Sequence, residues 1–332
     1  KHGMKIIIRE GSAAKNFEEL ISLLDEFPDK IMFCSDDKHP NDLVAGHINT
    51  LAKRAVAKGC DVMNVLRATS YNPVKHYNMN VGLLQLNEPA DFCVVKDLKD
   101  FNVLQTYIEG RLVAENNHTL IPSVKEGLVN NFNCLPINKN QIQVNTISET
   151  IKVIEVEDGQ LVTKKGVVKL TSKNSFLESD INQDVLKIVV VNRYFDAPPA
   201  VAFVKNFGLQ QGALASCVAH DSHNIIAVGV ADADIVAAIN LIIQNKGGVS
   251  LVNNNEQLIL PLPVAGIMSE KDGYKVADSY EKIDLRAKEL GVKLKAPYMT
   301  LSFCGLLVIP SLKLSDKGLF DGDKFEFTNL NI

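Results

Sequence analysis

The sequence has no long apolar run, no basic run and no paired-cysteine spacing, and each absence excludes a class of protein. Its longest apolar stretches, such as "LVIP" and "IKVIEV", are far too short to span a bilayer. No cluster of Lys and Arg exceeds a few residues and the formal net charge is −4, so the electrostatic footprint of a nucleic-acid binder is missing. Six cysteines (Cys34, Cys60, Cys93, Cys134, Cys217, Cys304) occur without a CxxC spacing and without a signal peptide before them. They are expected to be reduced thiols of a cytoplasmic protein. An initiator methionine is missing too: "KHGMKIIIREGS" opens directly on a strand, as expected of a chain cut inside a fold. What is present is an ordinary globular composition. The 332 residues, 46% hydrophobic and 22% charged, suffice for two or three domains.

The first sixty residues alternate strand and helix. "MKIIIREGS" is a continuous apolar run ended by glycine, the pattern of a strand buried on both faces. Asn16 offers an N-cap, and Phe17, Leu20, Ile21 and Leu24 recur at helical spacing until Pro28 and Asp29. A second buried strand follows at residues 31–34, then a helix over residues 43–58 with Gly59 at its end. This βα alternation predicts a parallel sheet. "DVMNVLRATSYNPVKH" reads as a short helix stopped by its proline. The stretch to about residue 115 alternates short strands with turns, one of them fixed by Asp91, and predicts a small antiparallel sheet. Residues 116–145, rich in Asn, read as a connecting segment. Beyond them lie strands at 151–156 and 186–191 and a hairpin "GALASCVAHDSHNIIAVGV". A helix capped by Asp232 or Asp234, a second hairpin at "NNNE" and an amphipathic helix over 279–290 complete an α+β pattern.

In parallel βα folds the loops at the C-terminal strand ends share one face, and that is where chemistry collects. Two such ends are visible: "REGS" (Arg9, Glu10, Gly11, Ser12) and "SDD" (Ser35, Asp36, Asp37). A carboxylate there can ligate a metal, take a proton from water, or simply cap the next helix. Arg9 and Glu10 can equally pair with each other around a turn made by Gly11. "HDSHN" (residues 220–224) puts His220 and His223 three apart, with Asp221 between them. On spacing alone it is a polar hairpin turn whose Asp, Ser and Asn satisfy their own backbone, since two histidines are too few for a metal. His47, beside Gly46, reads as a helix-face histidine.

"MKIIIREGSAAKN", "FCSDDKHPNDLVAGHI" and "ATSYNPVKHYNM…GLLQLNEPADFCVVKDL" resemble the C-terminal half of adenine deaminases of the amidohydrolase superfamily. "GALASCVAHDSHNIIAVG" and "LPLPVAGIMS" resemble the C-terminal domain particular to adenine deaminases. The resemblance implies a (β/α)8 barrel whose last two βα units are residues 1–62. It further implies a small β-sandwich segment at 63–115, the connecting segment at 116–145, and an appended α+β domain at 146–332. It implies a metal-dependent hydrolase that converts adenine to hypoxanthine and ammonia in purine salvage or catabolism. The metal would be Mn²⁺ or Fe²⁺, with Zn²⁺ as the alternative. Asp36 best matches the aspartate that binds the metal and handles the proton of the attacking water, and Asp37 is the alternative one register away. Arg9 or Glu10 would read the purine edge, with Ser12 hydrogen-bonding it. His220, Asp221 and His223 would face the site as a lid or proton relay.

The departures carry equal weight. No HxH occurs among His2, His39, His47, His76 and His118, and one aspartate cannot hold a catalytic metal. The remaining ligands are therefore expected in a missing N-terminal part of the barrel, and this chain by itself is expected to be inactive. The expected partners are adenine, that missing part and further copies in a homo-oligomer, with no nucleic acid and no membrane. The rival readings are another amidohydrolase opening a cyclic amide, and a non-catalytic purine-binding or assembly module.

Overall fold

Short runs of large apolar residues form the first two strands, β1 (Ile6–Arg9) and β2 (Ile31–Cys34), in the computed structural model, which describes residues 2–124 and 127–332. Lys1, at the head of the expected barrel part, and Lys125 and Glu126, within the expected connecting segment, lie outside the described residues. The chain folds as two units that divide after residue 125.

In the first unit β1 and β2 pair in parallel, with Ile6 opposite Ile31 and Arg9 opposite Cys34. Two short helices, α1 (Phe17–Leu20) and α2 (Leu23–Glu26), replace the single helix expected there. Asn16 sits at the N-cap without capping, because its Oδ1 accepts the Arg9 backbone N–H at 2.8 Å. The expected helix over 43–58 is likewise two, α3 (Pro40–Ala45) and α4 (Ile48–Ala57), interrupted where Gly46 and His47 leave helical geometry. The amphipathic face of α4 buries Leu51, Ala52 and Ala55 on Ile8, Phe33 and Phe17.

Pro73 does not stop the next helix. α5 (Val62–Leu66) runs through a π turn (Arg67–Tyr71) into α6 (Asn72–Tyr77). The turn lets Asn72 N–H reach Arg67 O, and Pro73 falls in the first turn beyond it, where its missing N–H is tolerated. Asn72 is buried and donates its amide to Pro28 O (2.7 Å) and Ile31 O (2.8 Å), docking this helix against the start of β2. A four-stranded antiparallel sheet follows: β3 (Phe92–Val95), β4 (Val103–Ile108), β5 (Arg111–Glu115) and β6 (His118–Thr119), in that order. Asp91 fixes its entry as expected, accepting the N–H groups of Gly82 and Glu109.

The second unit centres on one eight-stranded sheet. The early strands of this unit are β7 (Val144–Asn145), β8 (Thr150–Glu155), β9 (Lys164–Lys169), β10 (Phe176–Leu177), β11 (Val185–Val191) and β12 (Ala200–Lys205), of which β7 and β10 pair with each other outside the large sheet. Then come the hairpin β13 (Ala213–Ser216) and β14 (Ile225–Gly229), α7 (Asp232–Gln244), and the hairpin β15 (Gly248–Asn253) and β16 (Glu256–Pro261). The chain ends with α8 (Gly273–Glu289), α9 (Pro297–Phe303) and three short strands, β17 (Leu312–Ser315), β18 (Gly318–Asp321) and β19 (Glu326–Phe327). The sheet order is β16-β15-β13-β14-β11-β12-β8-β9, antiparallel except for β12 beside β8.

Period-two alternation sends the residues of each central strand to two cores. On one face Leu186, Ile188 and Val190 join Leu214, Ile226 and Val228 under α8 and α9. On the other, Val189 and Val191 join Ala215, Ile225 and Ala227 under the apolar stripe of α7. Residues 132–142, expected to be a connecting segment, add Phe132, Cys134, Ile137 and Ile142 to that second core. Neither Asp232 nor Asp234 caps α7. Ala231 occupies the cap, Asp232 Oδ1 accepts from the buried Lys187 Nζ at 2.6 Å, and Asp234 Oδ1 accepts the Asn254 N–H. Helix α8 starts six residues before the expected 279, because Asp272 accepts the N–H groups of Tyr274 and Lys275 and so caps it there.

Candidate active site

Successive residues of a strand point to opposite faces, and on β1 this separates two candidates. Ile8 and Glu10 face the helices, where Ile8 is fully buried. Arg9 shares the open face with Ile7. Across the pair, just beyond β2, stands Asp36, and Arg9 Nη1 lies 2.9 Å from its Oδ2. The other oxygen, Oδ1, accepts the Asp37 backbone N–H at 2.8 Å. Both oxygens are thus oriented, at a residue whose φ of +51° places it in the left-handed region that Asp tolerates better than most. The structure brings Arg9 and Asp36 together at the shared C-terminal end of the two strands. Arg9 and Glu10 do not pair with each other.

Glu10 instead accepts from Arg54 Nη1 of α4 at 2.7 Å, and Arg54 Nη2 reaches Glu18 at 2.8 Å while its guanidinium lies over the Phe17 ring at 4.0 Å. Ser12 is buried and bridges the two strand-end loops. Its Oγ donates to Asp42 Oδ2 at 2.6 Å and accepts the His39 N–H at 2.9 Å, and its own N–H donates to Asp37 O at 2.8 Å. Glycine at 11 is required by this approach, since a β carbon there would lie 2.9 Å from Asp37 O. His47 sits at the N-cap of α4, and its Nε2 is 3.0 Å from Ser35 Oγ, next to Asp36. Burial, and then the Lys38 ammonium, push the His47 pKa down. A cleft of about 230 Å³ opens on the helix side, lined by Glu10, Lys15, Lys38, Asp42 and Arg54.

The arrangement supplies one oriented carboxylate, one guanidinium and a rigid pair of loops. That is enough to hold a polar heterocycle's edge and to move one proton. It does not fit a metal on its own, because among the described residues no three His, Cys, Asp or Glu side chains converge. Reading along the sequence pointed to Arg9, Glu10, Ser12, Asp36 and Asp37 but missed Asp42 and Arg54. Both sit on helices and reach the site through tertiary contacts; Asp42 lies within the quoted stretch "FCSDDKHPNDLVAGHI", but nothing in its local spacing marks it as a partner of Ser12.

In the second unit the β13–β14 hairpin turn holds His220, Asp221 and His223 together. The two imidazoles are 6.3 Å apart, and His220 packs on Phe303 at 4.6 Å. His220 Nδ1 lies 3.9 Å from Asp221 Oδ1. His223 Nδ1 is buried and has no hydrogen-bond partner among the described residues, and burial, then the neighbouring Arg193 and His220, lower its pKa. Arg193 organises the turn. Its N–H donates to Asn224 Oδ1, its Nη1 to Ala265 O at 2.7 Å, and its Nη2 to Tyr194 Oη, which in turn donates to Ser222 O. Gly266 makes room for the guanidinium: a β carbon there would lie 1.8 Å from Nη1. Arg193 thereby ties "HDSHN" to "LPLPVAGIMS", two stretches that the sequence shows only as separate motifs.

Residues 4–113 match the family model described as the amidohydrolase family, and residues 160–326 match that of the adenine deaminase C-terminal domain. Among curated proteins, one named adenine deaminase from Sulfurovum sp. (strain NBC37-1) is 53% identical over 326 residues, 98% of this chain and 60% of its own length. Another of that name from Salinibacter ruber is 51% identical over 329 residues, covering 98% of this chain and 60% of the relative. A third, from Methanosarcina acetivorans, is 49% identical over 341 residues, covering 99% and 62%. The chain spans about 60% of the length of these relatives. With its model matched across half of the sequence, the chain belongs to the adenine deaminase C-terminal domain family.

Proposed function

We propose that the protein containing this chain deaminates adenine by hydrolysis, and that Arg9 and Asp36 belong to its active site. The observation that carries this is the Arg9–Asp36 pair at the shared C-terminal end of two parallel strands, in a chain akin to proteins named adenine deaminase. In this reading β1 and β2 are the last two strands of a (β/α)8 barrel.

The chemistry needs a group that takes a proton from water as its oxygen adds to purine C6, and that returns the proton as the C6–N bond breaks. Water and adenine become hypoxanthine and ammonia. Asp36 serves as that group, a positioned carboxylate being a competent general base and acid. Arg9 holds Asp36 in one orientation and offers donors to the purine edge. Glu10, turned to the helix side and held by Arg54, and Ser12, bound to Asp42, support the loop that presents Arg9. A divalent ion, Mn²⁺ or Fe²⁺, belongs to this reading only with ligands beyond the described residues, since among those described no three ligating side chains converge. His220, Asp221 and His223 are assigned to a relay or lid, supported by the buried Nδ1 of His223, which has no hydrogen-bond partner among the described residues, beside a second imidazole.

The test is to incubate the holoenzyme that contains this chain with adenine and to follow ammonia and hypoxanthine together. Equimolar release that is lost in Asp36→Asn supports the reading. Turnover of a hydantoin without turnover of adenine, or no reaction with either, overturns it.

A further inference from the structure

Ser12 is tied at three points to the segment that follows β2, to Asp37 and His39 of its loop and to Asp42 of α3. The hydroxyl donated to the Asp42 carboxylate at Oδ2, 2.6 Å away, is the one that involves an acidic side chain. That bond fixes where the hydroxyl proton goes. With the proton committed to Asp42, the oxygen's lone pairs are left to accept the His39 N–H at 2.9 Å. The Ser12 N–H then meets Asp37 O at 2.8 Å. Asp36 is suspended between two attachments to the β1 loop. On one side the Glu10 N–H reaches Cys34 O at 3.2 Å, and on the other Ser12 binds Asp37 O. Between them the backbone of Asp36 is held at φ +51°, a conformation kept only where its surroundings impose it. Asp42 is placed for this by α3, where Pro40 opens the helix and Gly46 ends it.

We propose that Asp42 is a positioning residue for Asp36, acting through Ser12; the proposal rests on the assignment of Asp36 to the active site. Displacement of a reacting group by about 1 Å can cost roughly 10²-fold in rate, and a charge-assisted bond is a firmer anchor than a neutral one. In the holoenzyme, Asp42→Ala should lower kcat 10- to 100-fold, with KM within about twofold. Asp42→Asn keeps an oxygen that accepts the Ser12 hydroxyl and should stay within about threefold of the parent. Ser12→Ala should match Asp42→Ala, and the double variant should be no worse than either, because both remove one linkage.

A positioning role and a merely structural one separate on the Asp36→Asn background. If Asp42 acts by placing the Asp36 carboxylate, Asp42→Ala should bring no further fall in kcat there; a further fall of tenfold overturns the proposal. An independent readout needs no turnover. In the 332-residue chain, amide exchange at Ser12 and Asp37 should quicken at least tenfold in Asp42→Ala while Ile8 and Phe33 stay protected. Loss of protection at Ile8 and Phe33 as well would mean that Asp42 holds up the fold, and overturns it. The outcomes also distinguish the two assignments. Normal kcat in Asp36→Asn refutes the role of Asp36, whereas a dead Asp36→Asn with a normal Asp42→Ala refutes only the positioning.

Discussion

Lys187 and Asp232 form an ion pair whose two halves should respond very differently to removal. Lys187 lies in the middle of β11, its side chain 1% exposed, and Asp232 Oδ1 at 2.6 Å is the one acceptor its Nζ reaches among the described residues. Asp232 is 26% exposed and sits in the first turn of α7, where water and the helix N-terminus both accommodate a carboxylate. Asp232→Ala therefore strands a buried cation, which typically costs about 3–5 kcal/mol. Lys187→Met keeps the volume, removes the charge and leaves Asp232 partly in water, so it should cost no more than about 1 kcal/mol, as replacing a buried charge by a fitted apolar group is often near neutral. The double variant should recover most of the loss and behave like Lys187→Met. With no tryptophan in the chain, the measurement of choice is amide exchange in β11 and α7 against urea, which follows the second unit alone. Equal losses for the two single variants, or a loss below about 1 kcal/mol for Asp232→Ala, would refute the idea that burial of the lysine decides the energetics.

The other expectations are shorter. In the holoenzyme Asp36→Asn should reduce kcat by about 10²–10⁴-fold with a smaller effect on KM, and Asp37→Asn far less; the reverse order would move the reacting carboxylate by one residue. On its own, the 332-residue chain should bind Mn²⁺, Fe²⁺ or Zn²⁺ weakly in a calorimetric titration and release no ammonia from adenine, because no three ligands converge among the described residues; robust turnover would contradict this. His47 and His223 have lowered pKa values in the fold, so the unfolded chain binds the extra proton more readily. Stability should be full above the ordinary histidine range and should fall as pH drops through it toward the folded values. His223→Gln should flatten that acid-side loss in the second unit, and His47→Gln in the first. An unchanged pH dependence in both variants would rule out these two side chains as its source. Gly266→Ala forces a β carbon against Arg193 Nη1 at a φ of +77°, and should speed amide exchange across residues 219–226; an unaltered pattern would show that the Arg193 tie is dispensable.

Local pattern determined the elements whose information is local. The apolar runs at Ile6–Arg9 and Ile31–Cys34 form strands that pair in parallel as their βα spacing implies. However, β1 is not buried on both faces as its apolar run suggests, since Ile8 is buried while Ile7 lies exposed. The hairpins flanking "HDSHN" and "NNNE" were legible because alternation and turn residues act over a few positions. The two strand-end loops stood out as candidate sites for the same reason: the end of a buried parallel strand is visible in the sequence. Decisions that balance one distant contact against another were not legible. Gly46 divides a helix whose apolar spacing runs on. Pro73 is absorbed by a π turn rather than ending its helix, and the Asn-rich stretch buries Phe132, Cys134 and Ile137 because α7 offers them a core. Above all, tertiary structure chose the partners of the charges. Arg9 took Asp36 rather than the adjacent Glu10, since neighbours on a strand face opposite ways, and Asp232 turned from its helix cap to a buried lysine. Asp42 and Arg193 acquire their importance only from groups 30 and 72 positions away. Sequence spacing carries no record of such pairings, because they depend on which surfaces the packed elements finally bring face to face.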